Sequence, residues 1–367
     1  MKKIFFVICT LLISFSSTPV ANAAEVSIYL TEPTHRQIDG LFLDDDLIPL
    51  LAYDGRLGQL VFNPARGNRN WFIDPQLIEE VTAMTSDYTI VGGSDGAGTV
   101  VAKNWLNQLT AITRGDKITA LPYGNPSGYW ISKLAQSKSE FYLQLGAKRL
   151  TAALNRQVFQ LDTYPNTRAV KLDYLTNQTF RQAQIAIKLN SPYMSLADIE
   201  KFQAQSAAVL HPDLTAGYRT MIGLDLSSST ENLNQKIRLA PGRFTVTSTK
   251  QNLPITLIND FPNPAKVSIK IEALNGKVLV GGVANQVING NSKIQAMIPV
   301  EVVTSGQSEL SVKIFSEAGK LLGDEVIYPV TLKVISPIAT WITTGGAIIL
   351  FISALIQSYR RIRKKRS

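Results

Sequence analysis

The chain is 367 residues long and carries 37 Lys and Arg against 28 Asp and Glu, a formal charge of +9. Two of those bases lie in residues 1–23 and six in residues 360–367, with no acid at either end, so the stretch between holds 29 bases and 28 acids. A body so nearly neutral excludes a nucleic-acid-binding reading, and one Cys (Cys9) with two His (His35, His211) excludes thiol catalysis, iron–sulfur clusters, Cys-type zinc and a multi-histidine metal centre there.

The first predicted element is an export signal. Lys2 and Lys3 precede an apolar run from Ile4 to Phe15, and Ala21-Asn22-Ala23 supplies the small-x-small pattern of a cleavage site. A membrane span needs roughly 20 apolar residues, so this run is too short to be one. Residues 1–23 are expected to be a signal peptide, and Cys9 leaves with it. A remainder without Cys, after a Lys-Lys signal, favours a bacterial envelope.

Residues 24–235 read as an extracytoplasmic α/β domain. Trp71-Phe72-Ile73-Asp74-Pro75 ends a strand and starts a helix, Gln76 to Met84. Thr89 to Gly93 predicts a short strand, Asn104 to Ile112 a helix with Trp105, Leu106, Leu109 and Ile112 on one face, and Lys117 to Tyr123 a second strand. Ser195 to Leu210 predicts another helix, opened by a Ser195-x-x-Asp198 capping box. Strand, helix, strand at this spacing predicts βαβ units and a partly parallel sheet, which places ligands at the carboxyl ends of its strands, and the domain is read as a degenerate, barrel-like α/β domain.

Three loops follow those strands. Asp74 has two readings: a helix cap with Pro75 in the first turn, or, if the protein is an enzyme, a catalytic acid. The run from Gly92 to Gly98 lacks the GxGxxG spacing of a dinucleotide loop and has no Walker lysine, so it reads as a flexible connection. In Leu121-Pro122-Tyr123-Gly124-Asn125-Pro126-Ser127, the ring of Tyr123 offers a stacking face and Asn125 and Ser127 offer polar groups. These three are the candidate binding residues; the alternative is that Tyr123 and Pro126 only pack a strand end. No residue pattern calls for a cofactor or a metal.

From Lys236 to Ser336 the pattern changes to short alternating runs. Lys266 to Glu272 has Val267, Ile269 and Ile271 on one face, and Asn275-Gly276 is a hairpin signal. About seven strands with no helical period predict an immunoglobulin-like β-sandwich. Ile338 to Ser358 is then 21 residues without a charge, about 32 Å as a helix and so long enough to cross a bilayer. Arg360, Arg361, Arg363, Lys364, Lys365 and Arg366 follow in a tail, 359–367, expected to stay cytoplasmic and leave the body outside a plasma membrane.

The order IDPQLIEEV, WLNQL, ALPYGNP, FTVTSTKQNLPITLINDFPNPAKVSIKI and a C-terminal span with a basic tail resembles an actinobacterial exported membrane-protein family of unknown function numbered 6049. Its genes commonly stand beside that of the lipid II flippase, which implies a role near cell-wall assembly. The chain is short for that family, and a piece ahead of the first α/β segment is expected to be missing. Relatives read LPY-x-D-P-D where this chain has Asn125 and Ser127, neither of which serves as a general acid or glycosidic nucleophile. The expectation is a non-catalytic binding or scaffolding ectodomain whose partners are the lipid bilayer and cell-wall glycan or cell-wall assembly proteins. The rival is a glycan- or peptidoglycan-acting hydrolase or deacetylase pairing Asp74 with Asp95, Asp162 or Asp173.

Overall fold

The computed structural model describes residues 25–164, 171–281, 284–333 and 337–364. The expected signal, residues 1–23, lies outside them, as do Ser336 and the last residues of the tail, 365–367.

Four strands, β1 (Val26–Leu30), β2 (Arg69–Ile73), β3 (Lys117–Ala120) and β4 (Phe159–Gln160), lie side by side in chain order, every neighbouring pair parallel. Helices α1 (Leu47–Leu51) and α2 (Arg56–Phe62) join the first pair, α3 (Pro75–Ala83) and α4 (Thr99–Ile112) the second, α5 (Gly128–Leu134) and α6 (Ser139–Leu154) the third. This order runs without the reversal of a doubly wound sheet, and among the described residues β1 and β4 are its two edges and do not pair. Strand residues Leu30, Trp71, Ile73 and Ile118 share one buried cluster with Leu57, Leu77, Val81, Trp105 and Leu109 of the helices. The expected strand at Thr89–Gly93 is not part of this sheet. Thr89 and Ile90 make isolated bridges to Asp95 and Phe42 instead, and Gly92 and Gly93 turn with positive φ.

A second buried cluster takes in Leu43, Ile131, Ala135 and Tyr142 and continues beyond the parallel sheet. Helices α7 (Tyr174–Asn190), α8 (Leu196–Ala207) and α9 (Ala216–Asn234) contribute Ala183, Ile187, Phe202, Leu226 and Leu233 to it. Asp173, Ser195 and Thr215 cap them, each side chain accepting from a backbone N–H of the first turn. The Ser195–Asp198 box forms as expected, with Asp198 N donating to Ser195 Oγ at 3.1 Å.

The remaining strands form two sheets. β5 (Ile237–Leu239), β6 (Phe244–Val246), β7 (Lys250–Asn259), β8 (Ala265–Ala273), β9 (Val278–Val280), β10 (Ala284–Ile288), β11 (Ser292–Val302), β12 (Gly306–Ser316) and β13 (Leu321–Leu332) sort into orders β5-β7-β11-β9 and β10-β8-β12-β13-β6. Pairing is antiparallel except between β6 and β13. The alternation read from 266–272 is present, with Val267 and Ile269 buried and Lys266 and Lys270 exposed. Asn275-Gly276 does not close a hairpin: neither residue adopts positive φ, and β8 and β9 fall in different sheets. Asn275 Oδ1 accepts from Lys277 N (3.1 Å) in a turn that carries the chain across.

Both sheets feed the same cluster as α7–α9, through Ile255, Ile269, Ile298, Val312 and Val330. Packing therefore does not break at 235/236. The parallel-sheet core ends at Val158, and α6 serves both clusters, with Leu150 in the first and Tyr142 in the second. At the far end of β13, helix α10 (Pro337–Lys364) includes Trp341–Ser358, one stretch long and apolar enough to cross a membrane.

Candidate functional site

The three parallel strands β1, β2 and β3 end in the loops that carry the polar residues of the head. Asp74 directly follows β2. It is fully buried and caps α3: Oδ1 accepts from Gln76 N at 2.9 Å and from Gly124 N at 3.0 Å, while Oδ2 is buried with no donor among the described residues. Burial pushes its carboxyl well above the usual range; the two N–H groups pull the other way, and the charges of Glu80 and Glu79 add to the rise. The cap reading describes its geometry.

The loop after β3 is held by backbone conformation as much as by side chains. Gly124 and Asn125 both have positive φ, 70° and 38°, a region Asn enters more readily than most residues. A Cβ on Gly124 would lie 2.5 Å from Gln76 Oε1, so the close approach that delivers Gly124 N to Asp74 needs glycine. Asn125 Nδ2 donates to Thr31 Oγ1 (3.1 Å), and Ser127 is fully buried with its N–H on Leu210 O (2.9 Å). Tyr123 is buried, its hydroxyl donating to Glu79 Oε2 (2.8 Å). Arg149 sits over the Tyr123 ring and reaches Glu79 with Nε (2.8 Å) and Nη2 (3.1 Å).

A cavity of about 130 Å³ opens beside this loop. Its walls come from residues 34–40 after β1, from Gln76, Glu79 and Glu80 of α3, from Tyr123, from Arg149 of α6, and from α8 and α9 across the head. Among the sequence-predicted residues, Tyr123 lines it; Asp74, Asn125 and Ser127 stand behind the wall. Glu80, 4% exposed, accepts from Thr34 Oγ1 (2.5 Å), Gln76 Nε2 (2.8 Å) and His35 N (3.0 Å). Burial raises its pKa against the opposing pull of His35 and these hydrogen bonds. Among the described residues the hydrogen bonds of Asp74 are to Gln76 and Gly124 and not to its expected partners: Asp95 bridges Thr89, and Asp173 is the α7 cap. Among the described residues no group of three or more His, Asp or Glu is arranged to hold a metal.

Gln76, Glu80 and Arg149 escaped the sequence reading, though one signal was present. Glu80 stands four residues after Gln76 and beside Leu77 and Val81, on the face that α3 buries, where a carboxylate needs internal partners.

Around the cavity a second network ties the loop after β1 to α9. His35 Nδ1 meets Asp44 Oδ1 at 2.8 Å, and the Tyr218 hydroxyl lies 2.6 Å from Asp44 Oδ2 and 2.7 Å from Asp46 Oδ2. Desolvation alone would lower the His35 pKa, but the Asp44 hydrogen bond with the charges of Glu80, Asp44 and Asp46 raises it.

Comparison with known proteins adds a family and little else. The family described as "Family of unknown function (DUF6049)" matches residues 152–367. No curated protein matches. Solved structures resemble about a quarter of the chain at low similarity. Escherichia coli alpha-2-macroglobulin in its native conformation is 16% identical over 26% of this chain and 6% of its own, with a TM-score of 0.22. WR4, a Caenorhabditis elegans MSP family member, is 13% identical over 27% of this chain and 98% of its own, with a TM-score of 0.21. The N-terminal domain of PorA is 16% identical over 26% and 90%, with a TM-score of 0.20. The chain thus spans a small fraction of the macroglobulin's length.

Proposed function

Since this chain belongs to the family of unknown function DUF6049, its own geometry has to supply a role, and we propose a membrane-anchored, extracytoplasmic binding protein that acts near cell-wall assembly without catalysing a reaction. One observation carries this reading. The acids best placed for chemistry at the cavity are already engaged: Glu79 by Arg149 and Tyr123, Glu80 by Thr34, Gln76 and the His35 N–H. Asp74 lies behind the wall, capping α3. Glycoside chemistry needs two available carboxyl groups about 5–10 Å apart, one to protonate the leaving group and one to attack or activate water. Carboxylates held as structural acceptors suit binding.

The presenting stalk is an immunoglobulin-like sandwich in this proposal. The order β5-β7-β11-β9 against β8-β12-β13 matches the four-plus-three division of that fold, with β10 added at an edge. The split first strand supports it too, β5 pairing antiparallel to β7 and β6 parallel to β13. Bases following the apolar stretch of α10 favour a cytoplasmic C-terminus.

A reporter active only outside the cytoplasm is expected to work when fused after Lys333 and to fail when fused after Ser367. Purified full-length protein should release neither reducing ends nor acetate from cell-wall glycan. An inverted reporter pattern defeats the anchoring, and turnover abolished by Asp74→Asn defeats the non-catalytic reading in favour of a hydrolase or deacetylase.

A further inference from the structure

The cavity at the strand ends has unspent hydrogen-bonding capacity of a particular kind. Gln76, 5% exposed and on the wall, gives its Nε2 to Glu80 and buries an Oε1 that has no donor. Gln205, on the opposite wall in α8, likewise gives Nε2 to Ile38 O (3.4 Å) and buries an unpartnered Oε1. Asp225 of α9 spends one oxygen, Oδ2, on Ile38 N (2.9 Å). A buried acceptor without a donor costs free energy, so this wall favours a ligand that brings N–H groups.

The rim brings cations beside one exposed acid, Asp39. Lys201 makes no ion pair among the described residues, and Arg36 spends only its Nε, on Gly40 O (2.8 Å), while its guanidinium rests over Phe42. Ala204, Ala208, Ile222 and Leu226 complete the lining with a small apolar surface. Acceptors, cations and a short apolar wall thus surround about 130 Å³, the room of roughly four waters. A molecule of about six to eight non-hydrogen atoms fits that volume.

We propose that this cavity receives a small zwitterion, an α-amino acid with a short side chain, its ammonium toward Gln76, Gln205 and Asp225 and its carboxylate toward Lys201 and Arg36. The proposal rests on the binding-protein reading and names the ligand class for it. An ammonium supplies three donors to a wall of acceptors, and the carboxylate pairs with two cations that make no ion pair among the described residues. Neither a simple anion nor a simple amine satisfies both walls. A polyol supplies donors but leaves the cations unmatched.

Calorimetric titration of the full chain in detergent micelles tests it with glycine, both enantiomers of alanine, alaninamide, propionate and N-acetylglucosamine. Alanine of at least one hand should bind, and alaninamide and propionate should each bind roughly tenfold or more weakly, as expected for a lost charge-assisted hydrogen bond. Lys201→Met, a change at an exposed position, should weaken alanine by a similar factor and leave alaninamide unchanged. Propionate binding as well as alanine, or Lys201→Met without effect on alanine, overturns the zwitterion. Binding of N-acetylglucosamine in place of alanine also overturns it while leaving the binding-protein reading intact. Silence toward every probe removes the zwitterion, and glycan turnover would remove the reading beneath it.

Discussion

Asn259→Ala should lower the stability of the chain by about 3–5 kcal/mol, since it strips buried hydrogen bonds whose remaining halves cannot reach water. Asn259 is fully buried at the end of β7. Its Nδ2 faces Asn263 O (3.0 Å), Asn289 O (3.1 Å) and Ile288 O (3.2 Å), and its Oδ1 accepts from Phe261 N (3.0 Å). One amide thereby pins the loop 260–264 to the end of β10. That loop is also where the sheets meet the helices: Asn263 donates to Tyr193 O (3.2 Å) from its backbone and to Met194 O (2.9 Å) from its side chain, and Phe261 packs against Tyr193. The cost of the substitution therefore includes the seam between the α7–α8 connection and the sandwich. Asn259→Asp should be worse, because it turns a carboxylate oxygen toward three carbonyls. Denaturant unfolding of the full chain in micelles measures both, and a loss under 1 kcal/mol for Asn259→Ala would mean that the loop is held by something else.

The same stretch marks how far the sequence could be read. Asn259-Asp260-Phe261-Pro262 lies within the stretch that carries the family resemblance, yet nothing in its spelling says that the Asn amide is the hub. Hydrogen-bond partners 29 and 30 residues away are a product of topology. Local signals did better. Asp74-Pro75 and Ser195-x-x-Asp198 marked the starts of α3 and α8, because caps act within one turn. Helix α9 went unread because Gly217, Gly223, Ser227, Ser228 and Ser229 are weak helix formers that hide it.

 Its burial against α7 comes from tertiary contact, which outweighs weak local propensity. The site divides in the same way. Tyr123 was legible because Pro122 and Gly124 frame a strand end. Glu80 and Arg149 were not, because Thr34, His35 and Glu79, which make their charges tolerable, lie 45 or more residues away from them in the chain.

Acidification should weaken the fold through His211, by about 3 kcal/mol between pH 7 and pH 4 from this one side chain. His211 is 2% exposed, in the turn between α8 and α9. Its Nδ1 accepts from Asp213 N (3.1 Å), which leaves the proton on Nε2, and Nε2–H donates to Thr31 Oγ1 (3.1 Å). A second proton would face the Asp213 N–H in a buried site, close to the positive charges of Arg56 and Arg219. Burial first, and then those two charges, lower its pKa from 6.5 to about 3. The unfolded chain accepts the proton near pH 6.5 and the folded chain refuses it, so the stabilisation is complete above pH 6.5 and drains away as pH falls toward 3. His35 has the opposite sign: its raised pKa gives stability that is present below pH 6.5 and lost as pH rises through its folded value, so it does not produce the acid loss. Asp74 and Glu80, whose pKa values are raised, gain from acid and work against the loss. Comparing His211→Gln with the unaltered chain cancels those shared contributions. The variant starts less stable at pH 7, having lost the Asp213 and Thr31 contacts, and its stability should fall less steeply from pH 7 to pH 4. Parallel curves across that range would mean that the imidazole takes up its proton without leaving the site. The outcome bears on binding as well, because Thr31 also accepts from Asn125, so a charged His211 pulls at the loop that carries Tyr123 to the cavity.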